Sequence, residues 1–221
     1  MGSYYNGTGI TSGTIDGQTI TQIIIDGVTV FIQKYTVSFS TGTGYSSMYT
    51  STNASATSGN PTGTSYEAGS TVYLFGVLAS SAYNGTGTVI SGTGGTAGAI
   101  YRITSATINA NYTFSTYNAT AKTPSAPTSV AVTVMQATTA RVRYSVTVTN
   151  PNSYSCSVYL VTRDFSNTIY NGTCGTVSAN TSQSFIATMS NPPSTTNISW
   201  QVSLLNSADS SKESTKVSGY F

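Results

Sequence analysis

Hydrophobic residues in this chain recur at every second position, and no stretch shows the spacing of an amphipathic helix. Tyr35, Val37 and Phe39 alternate in this way near the start of the chain, and the even positions from 142 to 148 are all valine or tyrosine. A period of two places alternate side chains on opposite faces of a β-strand. The pattern therefore predicts an all-β protein.

Charged side chains are scarce, with 8 Lys and Arg, 6 Asp and Glu, and no histidine in 221 residues. Globular domains usually carry about 25% charged residues, whereas this chain carries 6%. The 16 tyrosines and 7 phenylalanines nevertheless argue against disorder. Hydroxyls and amides must supply the polar surface, and this composition is typical of a structural or adhesive surface protein.

The same scarcity of charge argues against several functions. The basic residues are spread along the chain, with Arg141 and Arg143 as the close pair, so the sequence predicts no nucleic-acid partner. No apolar run approaches the roughly 20 residues of a membrane span, so no membrane insertion is expected. The carboxylates fall in predicted turns or loops and no histidine can act as a base, which predicts a non-enzymatic protein without catalytic residues or cofactors.

Two cysteines, Cys156 and Cys174, lie in the C-terminal half. A disulfide between them is sterically possible if their strands are neighbours. Reduced, half-buried cysteines are the favoured interpretation. A metal site is not expected, because zinc normally takes four ligands and histidine is absent.

Residues 1–33 are predicted to form an N-terminal arm and a docking hairpin. Residues 1–14 are rich in Gly, Ser, Thr, Asn and Tyr and suggest a flexible arm, while β-branched runs at 20–25 and 28–32 flank an Asp-Gly pair that favours a two-residue hairpin turn. A lone hairpin is marginal in water, so it should dock on a neighbouring domain or subunit. The residues assigned to this docking hairpin are Ile20, Ile23, Ile25, Asp26, Gly27, Val28 and Val30.

The first 14 residues show neither the basic nor the apolar segment of a secretory signal peptide. We therefore expect a protein made and kept in a cytoplasm, or a mature or engineered form from which the signal has been removed. A bacteriophage virion protein fits this expectation, because it assembles inside its host, whereas an anchored adhesin would normally carry a signal.

Residues 34–122 are predicted to form a small β domain. Its segments KYTVSFSTGTG, YEAGSTVYL and IYRITSATINANYTF resemble the bacterial surface repeats of the Listeria-Bacteroides type over residues 35–114. The resemblance implies a β-grasp-like unit, and a small β-sandwich is the alternative. The polar stretches 41–65 and 84–98 are predicted to be loops or irregular edges.

Residues 123–221 are predicted to form an immunoglobulin-like β-sandwich. The prolines within 119–128 favour a short extended linker, and seven or eight short strands follow at the spacing of such a sandwich. The segments SVAVTVM, VRYSVTVTNPN and SVYLV resemble fibronectin type III and related Ig-like modules. Trp200 is expected to anchor the core.

Five tyrosines lie in predicted Gly/Ser/Thr loops and are candidate contact residues, because a rigid amphipathic ring suits a contact surface. They are expected to meet a neighbouring subunit or a host-surface glycan. These candidates are Tyr4, Tyr5, Tyr45, Tyr49 and Tyr83.

The segment ITQIIIDGVTVF, followed directly by a β domain and later by an Ig-like module, resembles the opening of structural proteins of tailed bacteriophages. This resemblance implies a virion structural protein, as a capsid decoration, auxiliary or head-fibre protein attached through its N-terminal region. Its partners would be other capsid or tail proteins, and a homotrimer would suit a fibre. The alternatives are a tail or baseplate component and a bacterial surface adhesin or glycan-binding module.

Overall fold

The computed structural model describes residues 14–15, 18–19, 22–25 and 28–221, with side chains from residue 32 onward. The described residues contain β-strands and no helix, so none of their segments is a helix long and apolar enough to cross a membrane. The protein is therefore all-β, as the period-two pattern predicts.

The strands are numbered in chain order. The N-terminal strands are β1 (Thr14–Ile15), β2 (Gln18–Thr19), β3 (Gln22–Ile25) and β4 (Val28–Ile32). The next nine are β5 (Lys34–Ser38), β6 (Tyr45–Ser51), β7 (Thr64–Glu67), β8 (Thr71–Leu78), β9 (Tyr83–Asn84), β10 (Thr88–Ser91), β11 (Ile100–Thr107), β12 (Tyr112–Thr113) and β13 (Thr120–Ala121). The last eight are β14 (Ser129–Thr138), β15 (Arg141–Thr149), β16 (Cys156–Arg163), β17 (Thr168–Val177), β18 (Ser182–Ser190), β19 (Ser199–Asn206), β20 (Asp209–Glu213) and β21 (Val217–Tyr220).

The chain divides into two compact units that are interleaved in sequence. Unit 1 comprises the residues up to Leu78 together with Gly85–Thr93 and Gly98–Asn118. Unit 2 comprises Ala79–Asn84, Gly94–Ala97 and Ala119–Phe221. The predicted domain bounds at 34–122 and 123–221 stay predictions.

Unit 1 contains a four-stranded sheet in the order β10-β11-β8-β6 and a three-stranded sheet in the order β12-β5-β7. Its core includes Val37 of β5 and Val72, Leu74 and Phe75 of β8, all fully buried, and burial of the consecutive Leu74 and Phe75 shows that both faces of β8 are covered at this point. Of the two folds predicted for this region, the β-sandwich is the one that describes it.

The stretches 41–65 and 84–98, predicted to be loops or irregular edges, contain strands β6 and β10, which lie at the two edges of the four-stranded sheet and have register shifts in their pairing. Strand β6 pairs with β8 in an antiparallel register, and β10 pairs with β11. Strand β6 buries Tyr45, Met48 and Tyr49 while its serines at 46 and 47 stay exposed. Because hydroxyl residues surround the few buried ones, the sequence of this strand resembles a loop.

Unit 2 is an Ig-like β-sandwich. One sheet has the order β14-β15-β18, and the other has the order β17-β16-β19, with β20 and β21 both pairing with β19. The seven or eight strands predicted after the linker are confirmed as the eight strands β14–β21.

The core of unit 2 lies between its two sheets. Strand β15 contributes Val142, Tyr144, Val146 and Val148, all of which are fully buried, while its odd-numbered residues face outward. This alternation is the one predicted from the sequence. Trp200 is partly buried and packs against the core from its margin, as the sequence anticipated.

Three buried asparagines hold the loops of unit 2. The Asn150 side chain is fully buried, and its amide nitrogen donates to the backbone oxygens of Tyr154 at 2.9 Å, Ser178 at 3.1 Å and Val177 at 3.4 Å. Its amide oxygen accepts from the backbone N–H and the side-chain amide of Asn152, at 2.9 and 2.8 Å. One side chain therefore satisfies several buried backbone groups at once.

Asn206 ties the interleaved segments of unit 2 together. Its side chain is fully buried, and its amide nitrogen donates to the backbone oxygens of Ala82 and Lys122, both at 2.9 Å. Its amide oxygen accepts from the backbone N–H of Ala208 at 2.9 Å. The segment around residue 82 is therefore bonded to the sandwich by side-chain as well as strand contacts.

Candidate functional site

The predicted docking hairpin is present as backbone. Strands β3 and β4 are antiparallel, with Ile23 opposite Phe31 and Ile25 opposite Val28, and Val30 falls at a register shift. Within the described part of the chain, these two strands pair only with each other. Of the predicted hairpin residues, Ile20, Asp26 and Gly27 lie outside the described residues.

A second, shorter hairpin precedes it and was not predicted. Thr14 pairs with Thr19 and Ile15 with Gln18, so the sequence Asp16-Gly17 lies between β1 and β2. The sequence contains the pattern that predicts this hairpin, because Ile-Asp-Gly occurs twice, at 15–17 and at 25–27. Asp-Gly is among the preferred pairs for a two-residue hairpin turn.

Two of the candidate contact tyrosines are core residues, which corrects the prediction. Tyr45 and Tyr49 lie on strand β6 with relative exposures of 6% and 8%. The Tyr49 ring stacks on Phe75 with a centroid distance of 5.0 Å. The Tyr45 hydroxyl accepts from the backbone N–H of Thr86 at 2.8 Å. Burial of their rings and use of their hydroxyls remove both from the candidate contact surface.

The other three candidates have different placements. Tyr83 lies on the short strand β9, partly buried against the core of unit 2. Tyr4 and Tyr5 lie outside the described residues. A contact role for the two N-terminal tyrosines therefore stays a prediction.

Replacing Tyr49 with phenylalanine should lower the stability of unit 1 by about 1 kcal/mol, because its hydroxyl donates to the backbone oxygen of buried Ala56 at 2.9 Å. Calorimetric unfolding of the full chain measures the change. Tyr112→Phe is the matched control, since Tyr112 is 41% exposed and its hydroxyl has no partner among the described residues. Equal stability of the two variants would contradict a structural role for the Tyr49 hydroxyl.

Both cysteines are free, as favoured from the sequence. Their strands are neighbours, but Val177, three residues beyond Cys174, lies opposite Cys156. Burial raises the pKa of each thiol to about 11. At neutral pH both therefore remain protonated, and the thiolate needed for nucleophilic chemistry is rare.

Two carboxylates in unit 2 accept hydrogen bonds from residues two or three positions further along the chain. Hydrogen bonds from the backbone N–H groups of Asn167 and Ser166 lower the pKa of Asp164 to about 2. Asp209 accepts from the hydroxyl and backbone N–H of Ser211, at 2.7 and 3.0 Å, and these bonds lower its pKa. Such lowered pKa values oppose a general-acid role.

A cleft of about 380 Å³ lies on the outer face of the larger sheet of unit 2. Strand pairing aligns Arg163, Ser199 and Tyr220 in one row, since Ser199 on β19 pairs with the other two. The next row on the same face contains Val161, Gln201 and Ser218. We call this site the aromatic cleft, and its principal residues are Val161, Arg163, Trp200, Gln201, Ser218 and Tyr220.

Large exposed side chains flank the aromatic cleft on both sides. Tyr220 on β21 is 83% exposed at one side and Arg163 on β16 is exposed at the other, while Ser199 on β19 lies between them. Trp200 pairs with Gly219 in the row between the two rows that face the cleft, on the core-facing side of the sheet, and its indole ring lies against Gly219. A β-carbon at that position would lie 2.3 Å from the indole ring.

The described residues contain no group of three or more cysteine, aspartate or glutamate side chains placed to hold a metal ion. A scan against models of protein families finds no match, and searches of curated proteins and of solved structures find none either. The class of protein is therefore defined by its fold, an all-β chain with an Ig-like sandwich.

Proposed function

We propose that this chain is a non-enzymatic structural protein of a bacteriophage virion, attached to the particle through its N-terminal region. Its β-sandwich units serve as a capsid decoration, auxiliary or head-fibre protein. It assembles in the host cytoplasm, and its partners are capsid or tail proteins.

The hairpin of β3 and β4 carries this proposal. It is a two-stranded sheet of mainly β-branched residues that finds no third strand within the described part of the chain. Gln33 alone separates it from strand β5 of unit 1. Because a lone hairpin is marginal in water and unpaired strand edges bind other strands, docking by strand addition is the function that this element suits.

A second candidate function is binding of a surface glycan, which the aromatic cleft of unit 2 favours. It is tested by measuring glycan binding and not by binding to capsid or tail proteins. A tail or baseplate component would use the same hairpin and differ only in its partner.

The non-enzymatic part of the proposal is supported by the two buried, protonated thiols and by the carboxylates that cap turns in unit 2.

The first test is the gene neighbourhood, where portal, capsid or tail genes are expected. The proteins encoded there are then mixed with the full-length chain, and native mass spectrometry should show a complex of fixed stoichiometry. The double variant Ile23→Lys, Val30→Lys should lose this complex, because charge on an edge strand opposes strand addition.

Thr88→Lys with Val89→Lys is the matched control, since both residues are exposed on strand β10, at the edge of a sheet in unit 1. Fluorescence of Trp200, the single tryptophan, checks that unit 2 of each variant remains folded. Neighbouring sortase or secretion genes, or wild-type binding by the hairpin variant, would overturn the proposal.

A further inference from the structure

We propose that the aromatic cleft of unit 2 binds an oligosaccharide that carries a carboxylate, with Arg163 on the carboxylate and Tyr220 against a sugar ring. The inference is independent of the virion proposal, because it rests on a different part of the chain.

Three polar side-chain groups in the aromatic cleft form no hydrogen bond or ion pair within the described part of the chain. Among the described residues, no hydrogen-bond or ion-pair partner is found for the Arg163 guanidinium, the Gln201 amide or the Tyr220 hydroxyl. The buried asparagines of the same unit differ, because Asn150 and Asn206 use their amide groups fully. Three unengaged groups converging on one cleft are therefore available to a ligand.

The chemistry of these groups suits a sugar. A tyrosine ring offers an apolar face to the C–H groups of a sugar ring. The glutamine amide both donates and accepts, and the guanidinium presents several donors, so together they can meet the hydroxyl groups of a sugar. The cleft volume of about 380 Å³ falls in the range of about 300–1,000 Å³ that is typical of ligand sites.

The charge favours a carboxylate-bearing sugar over a neutral one. Arg163 is the one charged side chain lining the cleft. The neighbouring carboxylate of Glu213 is already engaged, because it accepts from the Ser203 hydroxyl at 2.6 Å and lies 3.7 Å from the Lys216 ammonium. A guanidinium without a protein partner matches a carboxylate in a bidentate geometry.

The surroundings favour an oligosaccharide over a single sugar. A second depression of about 570 Å³ on the same face shares Val161 and Arg163 with the aromatic cleft and extends to Tyr159 and Asn171. Arg163 therefore lies where the two depressions meet. A ligand several sugars long can occupy both, with its carboxylate at the shared wall.

The full-length chain is tested on an array of matched pairs, each with a neutral and a carboxylate-bearing member. Suitable pairs are lactose with sialyllactose and galactose oligomers with galacturonate oligomers. At least one acidic member should bind, about tenfold more tightly than its neutral partner, as expected for a charge-assisted pair. No binding at millimolar glycan, or equal binding of both members of every pair, would overturn the proposal.

Two variants then locate the site by titration calorimetry with the acidic glycan that binds. Arg163→Gln should remove the preference for the acidic member, and Tyr220→Ala should weaken binding about fivefold to tenfold. Tyr112→Ala is the matched control, an exposed tyrosine in unit 1. Both cleft residues are exposed, so these variants should stay folded. If Tyr220→Ala binds as well as Tyr112→Ala, the cleft is not the site.

Discussion

Replacing Asn150 with alanine should lower the free energy of unfolding of unit 2 by about 3–5 kcal/mol. The substitution leaves the backbone oxygens of Tyr154, Val177 and Ser178 without their shared donor, and it removes the acceptor of two N–H donors from Asn152. Each buried polar group left unpaired costs about 1–3 kcal/mol. Urea unfolding followed by Trp200 fluorescence measures the loss, because the single tryptophan lies in unit 2.

Asn171→Ala is the control for Asn150. Asn171 lies in the same unit, is exposed, and accepts a hydrogen bond from the Tyr159 hydroxyl at the surface. Its replacement should cost under about 1 kcal/mol, as is usual for surface changes. If the two variants lose the same stability, the buried amide network does not hold the loops of unit 2.

Unit 2 should lose stability as the pH rises from about 9 to about 12. Burial raises the pKa of Cys156 and Cys174 from 9.0 to about 11, and burial followed by the nearby Cys156 raises the pKa of Tyr154 from 10.0 to about 12. The unfolded chain ionises first in this window, so ionisation favours unfolding. The stabilisation is complete below pH 9 and is lost as the pH passes the folded-state values.

The size of this loss of stability at alkaline pH follows from the three pKa shifts. One pKa unit corresponds to about 1.4 kcal/mol. Because Tyr154 and Cys156 influence each other, the three groups together should cost on the order of 5 kcal/mol rather than their simple sum. Urea unfolding at a series of pH values measures it, with refolding on return to pH 8 as the test of reversibility.

Cys156→Ala with Cys174→Ala provides the matched comparison. This variant should be somewhat less stable at neutral pH, because Cys156 is fully buried and its removal leaves a small cavity. Its loss between neutral and alkaline pH should nevertheless be clearly smaller than that of the natural chain. An unchanged pH dependence would show that the thiols do not control alkaline stability.

The all-β class and most strands of unit 2 could be predicted because the required information is local. At 142–148 each residue is either strongly apolar or polar, so alternation alone identifies the buried face. Strand β6 could not be recognised in this way, since serines occupy its exposed positions and the polar Thr50 is buried. Its tyrosines therefore resemble loop residues in the sequence although they lie in the core.

The aromatic cleft could not be found from the sequence, because it depends on pairing between distant segments. Arg163, Ser199 and Tyr220 belong to three different strands, and only the register of β16, β19 and β21 aligns them. A shift of one residue in either pairing would turn a member of the row to the opposite face. Tyr220 is therefore not among the contact tyrosines predicted from the Gly/Ser/Thr loops.

The interleaving of the two units has a consequence for how the Ig-like sandwich can be inherited or moved between proteins. A gene segment that begins at Ala119 would encode strands β13–β21 but not residues 79–84 and 94–97. Asn206 would then keep a buried amide without the backbone oxygen of Ala82. Recombination at the proline-rich segment would therefore give an incomplete sandwich. Transfer of the complete sandwich to another protein requires residues 79–84 and 94–97 to be transferred as well.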